Sequence, residues 1–416
     1  MSSAPHGGAD VEPLEALEWD VARRLAFDAV APLAAEHVGL SAAIGRVLVE
    51  DVLAAQDVPH YASSAMDGWA IAGEPPWHVG TDATGVLHAG EARGIVTGGV
   101  IPPGTDAVLR TEHARLAAGV LTLAGPRQAP TAGADIRPAG EEAHAGDTLI
   151  LAGTLLNPAH IAVAASCARD LLAVTALPRV ALLLTGDEVV ETGLPPAGRV
   201  RDSFGPQLPA LIAMLGGTVV SSRRVSDRRR DTVDALDSPG AVAELIITTG
   251  GTGSSAADQV RGALAELDAE LLVPRLATRP GGPTLLARLP DGRLVVGLAG
   301  NPLAAITGLL LLVGPLMAGW SGRPLGGLAE VRSAHAVSGH ERATLFVPYR
   351  DVDGRAIPSA WGGSGMMRGL AESAGILIVP PAGLEPEHHA TALTLPWAVA
   401  STPAAGTPAG DSRARG

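Results

Sequence analysis

Apolar positions along the chain change period several times, and each change predicts a different kind of structure. Over residues 15–52 acidic and apolar residues alternate at helical spacing, with Leu17, Val21, Leu25 and Val30 on one stripe, which predicts helices ending near Asp57-Val-Pro59. Over residues 58–144 that period disappears. Gly-Gly and Pro-Pro pairs and short Val/Ile runs take its place and predict a small β domain. Helical spacing returns over 158–172 with a composition like that of the first stretch. The β block therefore reads as an insertion into one helical linker region made of 14–57 and 145–177.

From residue 178 strand-like and helix-like runs alternate. Strands are expected at 180–184, 218–225, 245–248 and 294–298, and helices at 207–215, 258–267 and from Leu303 onward. This alternation predicts a doubly wound α/β domain over 178–325, a parallel sheet with helices on both faces. Such sheets bind ligands at the carboxyl ends of their strands. Three small polar turns fall there: Thr185-Gly-Asp-Glu188, Thr248-Thr-Gly-Gly-Thr-Gly253 and Ala299-Gly-Asn-Pro302. They are expected to converge on one crevice. Over 326–397 short alternating runs predict a small C-terminal β-barrel-like domain, and residues 1–13 and 398–416 read as disordered tails. The overall class is multidomain α/β plus β.

The middle turn carries the strongest chemical signal. Gly250, Gly251 and Gly253 let backbone N–H groups approach an anion, while Thr249 and Thr252 offer hydroxyls and Asp258 supplies a carboxylate for a metal or a proton. The same residues also suit a plain strand-to-helix turn. The formal charge of −13 excludes a non-specific nucleic-acid or anionic-membrane binder. The chain has no lysine, so its fixed cations are 30 arginines, and a bound metal ion is a natural source of further positive charge. The single Cys167 excludes a disulfide framework and reads as a small core residue. The apolar run 304–320 is shorter than a bilayer span and reads as a buried helix, and no secretory signal is visible, so cytoplasmic residence is expected. Arg223-Arg224 and Arg228-Arg-Arg230 flank Asp227, either as an anion-attracting patch or as a solvated loop. The pair His388-His389 reads as exposed, because neighbours on a strand face opposite sides.

One segment goes further: Val58-Pro-His-Tyr-Ala-Ser-Ser-Ala-Met-Asp-Gly-Trp-Ala70 resembles the signature of MoeA-type molybdopterin molybdenumtransferases. The resemblance continues in order through Gly39-Leu-Ser-Ala-Ala-Ile-Gly-Arg-Val-Leu48, Ile95-Val-Thr-Gly98, Pro103-Gly-Thr-Asp-Ala-Val108, Ile136-Arg-Pro-Ala-Gly-Glu-Glu142, Thr185-Gly-Asp-Glu188, Gly300-Asn-Pro302 and Gly363-Ser-Gly365. It implies insertion of molybdate into adenylylated molybdopterin with release of AMP, assisted by Mg²⁺. By position in the motifs it implies catalytic roles for Asp67, Glu142, Glu188 and Asp258, with Glu188 and Asp258 on the metal. It further implies substrate contacts from Thr97, Thr185, Gly186, Asp227, Thr249, Gly250, Gly251, Thr252, Gly253, Arg279, Pro280, Gly300, Asn301, Pro302 and Ser364. A homodimer is implied, and a molybdopterin adenylyltransferase is a natural partner.

Four departures from the family pattern stand out. Arg279-Pro-Gly-Gly-Pro283 replaces a usual Lys-Pro-Gly-Lys-Pro, so one cation survives as arginine and the other is lost at Gly282. Asp202-Ser-Phe204 places an aromatic ring where Asn is common, suited to packing or to stacking on a pterin. Glu142 stands where Asp is typical. The loop Thr248–Gly253 looks more like the related molybdopterin adenylyltransferases, which share this domain. Two alternatives therefore stay open: an adenylyltransferase, and a catalytically weakened scaffold that binds molybdopterin.

Overall fold

The computed structural model describes residues 15–80, 85–238, 242–253 and 259–398. Two compact units emerge. One comprises residues 35–174, and the other joins the N-terminal segment through Ala34 to everything from Thr175 onward. The tails expected to be disordered lie almost wholly outside the described residues, as does Asp258.

The larger unit is built on six strands: β1 (Arg179–Thr185), β2 (Thr218–Val225), β3 (Leu245–Thr249), β4 (Glu270–Val273), β5 (Leu285–Arg288) and β6 (Leu294–Leu298), in the order β2-β1-β3-β6-β5-β4. The first four of that order run parallel. Side-chain alternation sends Val180, Leu182, Ile247 and Val296 into a core on one face, and Ala181, Leu183, Ile246 and Val295 into a second core on the other. Buried on both faces, these strands read as continuous apolar runs, as a doubly wound sheet requires. Helix α1 (Trp19–Asp28) and α2 (Phe204–Met214) pack on the first face, and α3 (Arg229–Asp237) and α4 (Gln259–Glu266) on the second.

The sheet is mixed rather than purely parallel. β5 pairs antiparallel with both β6 and β4. The β5–β6 hairpin turns at Pro290-Asp-Gly292, where Gly292 has φ +89° and Leu289 N–H donates to Arg293 O at 2.9 Å. Asp-Gly between two apolar runs is a hairpin signal. The helix following β6 runs from Pro302 to Trp320 with a π-helical segment at Leu309–Val313. It is long and apolar enough to cross a bilayer, yet 94% of its most apolar window is buried inside the protein. That is the core helix expected from the 304–320 run.

The C-terminal strands close on themselves. Thr344–Val352 pairs with Arg355–Pro358 on one side and Gly375–Val379 on the other, and Ala329–Ser333 with His389–Thr394 completes a small barrel around Tyr349, Leu377 and Ala392. The barrel-like expectation is met.

The 35–174 unit holds a six-stranded sheet in the order Ala107–Arg110, Gly68–Ile71, Glu91–Ile95, Trp77–Val79, Val120–Leu123, Ala114–Ala117, sealed by the fully buried Trp77. Helix is scarcer than expected in the flanking stretches. Residues 15–57 hold α1 and one four-residue helix at Leu40–Ala43, with strands at Ala35–Gly39 and Val52–Leu53. The expected helix over 158–172 ends at Ser166, and Leu171–Thr175 is a strand. That helix starts sharply because Asn157 and His160 form a reciprocal capping box behind Pro158. Cys167, just past its end, is fully buried.

Candidate functional site

The carboxyl ends of β1, β3 and β6 deliver the three polar turns to one cavity of about 850 Å³ in the larger unit. It is lined by Thr185, Gly186 and Glu188, by all of Thr249–Gly253, and by Gly300, Asn301 and Pro302, with Asp227 beside them. Parallel strands with aligned ends make this convergence obligatory: Leu184 pairs with Thr249, and Thr249 with Leu298.

The β1 turn is tied down by an acid. Asp227 accepts from Gly186 N–H at 3.1 Å through Oδ1 and from Asp187 N–H at 2.9 Å through Oδ2. Gly186 has φ +117°, and a Cβ there would lie 2.8 Å from Val189 Cγ2, so only glycine fits. Both oxygens of Asp227 are thus engaged with backbone, and its direct effect is on loop shape. Glu188, the last residue of the turn, is exposed; its carbonyl accepts from Val200 N–H at 3.0 Å, and its carboxylate has no hydrogen-bond partner among the described residues.

The β3 turn is the tightest. Gly250 and Gly251 have φ of +83° and +67°, and Gly250 N–H donates to Leu298 O at 2.9 Å. A Cβ on Gly250 would meet Thr185 Oγ1 at 3.1 Å, and that hydroxyl donates to Thr249 O. The hydroxyls of Thr248 and Thr249 are buried with no partner among the described residues. An unpaired buried hydroxyl costs about 1–3 kcal/mol, so Thr249, which lines the cavity, is poised for a ligand oxygen. Thr252 donates to Leu298 O at 3.3 Å instead.

The opposite wall was not foreseen as a whole. Arg201, Asp202, Ser203 and Phe204 line it, joined by Arg224 and, from the C-terminal domain, Gly365 and Met367. Asp202 Oδ1 accepts from Phe204 N–H at 2.9 Å and Gly205 N–H at 3.0 Å, capping α2, while its Oδ2 is bound by Arg224. Arg224 was legible only as part of a basic cluster. Its position one residue before the carboxyl end of a parallel strand is the signal that finds it. Phe204 packs against the core beneath the wall.

Other expected residues are not brought to this cavity. Arg279 pairs in register with Leu345 of the barrel and hydrogen bonds to His340 Nε2 at 3.1 Å. Ser364 contributes its carbonyl to Ala304 N–H at 3.2 Å, holding its loop against the helix that begins at Pro302. Neither Arg279, Pro280 nor Ser364 lines the cavity. Asp67, Thr97 and Glu142 belong to the 35–174 unit. Asp67 Oδ1 accepts from Thr97 N–H at 2.7 Å and from its hydroxyl at 2.9 Å. Those two bonds, the backbone one foremost, hold the Asp67 carboxyl below its usual range. Glu142 is exposed, and its backbone N–H donates to Val58 O at 2.9 Å. No group of three or more His, Cys, Asp or Glu side chains forms a ready-made metal site among the described residues.

Residues 17–168 match the family described as MoeA N-terminal region (domain I and II), and residues 181–319 match the family described as probable molybdopterin binding domain. A Staphylococcus epidermidis protein named molybdopterin molybdenumtransferase is 31% identical over 297 residues, covering 67% of this chain and 70% of that one. A Staphylococcus aureus protein of the same name is 27% identical over 367 residues, covering 82% and 86%. Two crystal structures of molybdopterin biosynthesis MoeA proteins from Pyrococcus horikoshii share the fold, with TM-scores of 0.72 and 0.70 at 24% and 21% identity, covering 92% and 91% of this chain and 99% and 100% of theirs.

Proposed function

Because the chain belongs to the MoeA-type molybdopterin molybdenumtransferase family, we propose that it inserts molybdate into adenylylated molybdopterin, releasing AMP and leaving molybdenum cofactor. One observation carries the reading at the level of the site: three strand-end turns, two of them glycine-forced, meet in a single cavity within the segment matched to molybdopterin binding. The substrates are a pyrophosphate-linked pterin and a second oxyanion. Backbone N–H groups of the Gly251–Gly253 segment and the unpaired hydroxyl of Thr249 are suited to such oxygens.

The donor set is compatible with Mg²⁺. Of the described acids lining the cavity, Asp227 is committed to backbone and Asp202 to Arg224 and the α2 cap, which leaves Glu188 uncommitted. Mg²⁺ commonly takes one or two carboxylates, keeps several waters and completes its shell with substrate phosphates. Glu188 would hold it together with Asp258. When bound, the ion would offset negative charge on the phosphates and on the departing AMP. In the 35–174 unit, Asp67 would orient the Thr97 hydroxyl, with Glu142 as a further acid. We retain Arg279, Pro280 and Ser364 as candidate oxyanion contacts outside the cavity. A cytoplasmic homodimer supplied by a molybdopterin adenylyltransferase completes the reading.

Relatives named for molybdenum transfer align across both units, which favours this function over the adenylyltransferase and scaffold alternatives. Reconstitution tests it. Purified protein given adenylylated molybdopterin, molybdate and Mg²⁺ should activate a cofactor-free molybdoenzyme, and Asp258→Asn or Glu188→Gln should reduce the rate more than substrate affinity. Failure to activate, or consumption of ATP with molybdopterin alone, would overturn it.

A further inference from the structure

Asp227, Asp202 and Glu188 give the cavity a surplus of acid, and among the described residues its lining cations are Arg201 and Arg224 alone. Arg201 is exposed and spends Nη1 on Val190 O at 3.2 Å. Arg224 is different. It precedes the carboxyl end of β2 by one residue, directly beside Leu184 of β1 in the parallel register, so its guanidinium stands at the strand edge where ligands of such sheets bind.

Its geometry is fixed from two sides. Nε donates to Glu191 Oε1 at 2.6 Å and Nη2 to Asp202 Oδ2, while Nη1 has no partner among the described residues. The Asp202 side chain is only 8% exposed, whereas Glu191 is 66% exposed, so one tether is rigid and the other is soft. Arg224, Asp202 and Leu184 also line a second cavity of about 380 Å³, which places the guanidinium at the boundary between two hollows. An elongated ligand with a charged middle suits that boundary.

We propose that Arg224 is a substrate-binding residue of this site, with its guanidinium held on edge by Asp202 and Glu191 so that Nη1 contacts a phosphoryl oxygen of the pyrophosphate-linked substrate. The proposal rests on the reading of the cavity given above and adds to it the main fixed cation for the phosphoryl group. In a chain without lysine, a planar guanidinium fork fills that role. Asp202 makes the fork rigid, so little side-chain freedom is lost on binding.

The test measures the affinity of the full-length protein for adenylylated molybdopterin and, separately, for inorganic pyrophosphate, by calorimetry at two salt concentrations. Arg224→Gln should weaken both about 10- to 100-fold, the range of a charge-assisted hydrogen bond, and should flatten the salt dependence. Arg224→Lys should recover part of the loss, because the charge returns without the fork. Glu191→Gln, which removes the soft tether and no cation, should bind at least as tightly as the native chain. If Arg224 served only to brace the β2–α2 wall, Arg224→Lys would recover none of the loss and Glu191→Gln would weaken binding as well, and the proposal would be overturned. Native protein that binds both probes equally well with and without Arg224 overturns it while leaving the proposed function standing. Native protein that binds pyrophosphate through Arg224 but not the pterin substrate supports the anion site and sinks the proposed function. Binding of neither probe sinks both.

Discussion

Asp227→Asn isolates what that acid does. In the native chain its two carboxylate oxygens accept the N–H groups of Gly186 and Asp187 at 3.1 and 2.9 Å. An amide keeps one acceptor and turns an NH₂ toward the other N–H, so one hydrogen bond is lost and a donor is left facing a donor. A hydrogen bond to a charged group is worth about 1.5–3 kcal/mol, and at about 1.4 kcal/mol per factor of ten the open form of the turn should gain about 10- to 100-fold in population. The cost is local, because the strand beneath is pinned by two parallel neighbours. Hydrogen exchange followed by mass spectrometry on peptides covering residues 183–190 reads it directly. Exchange at Gly186 and Asp187 should accelerate about 10- to 100-fold with protection of the β1 interior unchanged. Substrate affinity should fall in parallel, since Thr185 and Gly186, which line the cavity, belong to the same turn. Unchanged exchange at those two amides, with affinity lost, would show that Asp227 contacts substrate itself and refute the argument.

Two further outcomes follow from the same geometry. Thr249→Val removes an unpaired buried hydroxyl, so the unfolding midpoint in urea should hold or rise, while affinity for adenylylated molybdopterin should drop by about tenfold, one hydrogen bond's worth; a drop in stability instead would mean that the hydroxyl is satisfied within the fold. Glu244 sits where burial would raise its carboxyl pKa, but Arg179, through its side chain, its backbone N–H at 2.7 Å and its charge, carries it net downward. A depressed folded pKa contributes stability that is present above the unfolded value and lost as pH falls through the folded one. Thermal midpoints of the native chain should therefore fall more steeply on acidification below the ordinary carboxylate range than those of Glu244→Gln, and parallel curves would remove that ion pair from the acid response.

The doubly wound domain was legible because its signal is local. Leu245-Ile-Ile leads through two threonines into Gly250 and Leu294-Val-Val directly into Gly297, short apolar runs of the kind a buried parallel strand shows. The β5–β6 hairpin was missed although Asp291-Gly292 announces it, because β4 and β5 are four-residue strands flanked by prolines that read as loop. The helical reading of 15–57 failed at Ala35–Gly39, where strand pairing outweighed a weak helical period. At the site, the turns were placed correctly because glycine is forced there, as at Gly186 and Gly250. What stayed hidden is a matter of side-chain direction. Nothing in the sequence says that Asp227 faces backbone N–H groups, that Asp202 caps α2, or that Arg224 turns toward the cavity while Arg223 donates to Ala235 O. The Asp227 and Arg224 placements depend on strand register across residues distant in the chain, whereas the Asp202 cap is local, an acid just before a helix start.

The most direct measurement of the central claim is AMP release in a single turnover. With Mg²⁺ and one equivalent of adenylylated molybdopterin per protein, release should be slow until molybdate is added and should then rise to one AMP per substrate. Release that ignores molybdate, or none after its addition, would contradict the assignment.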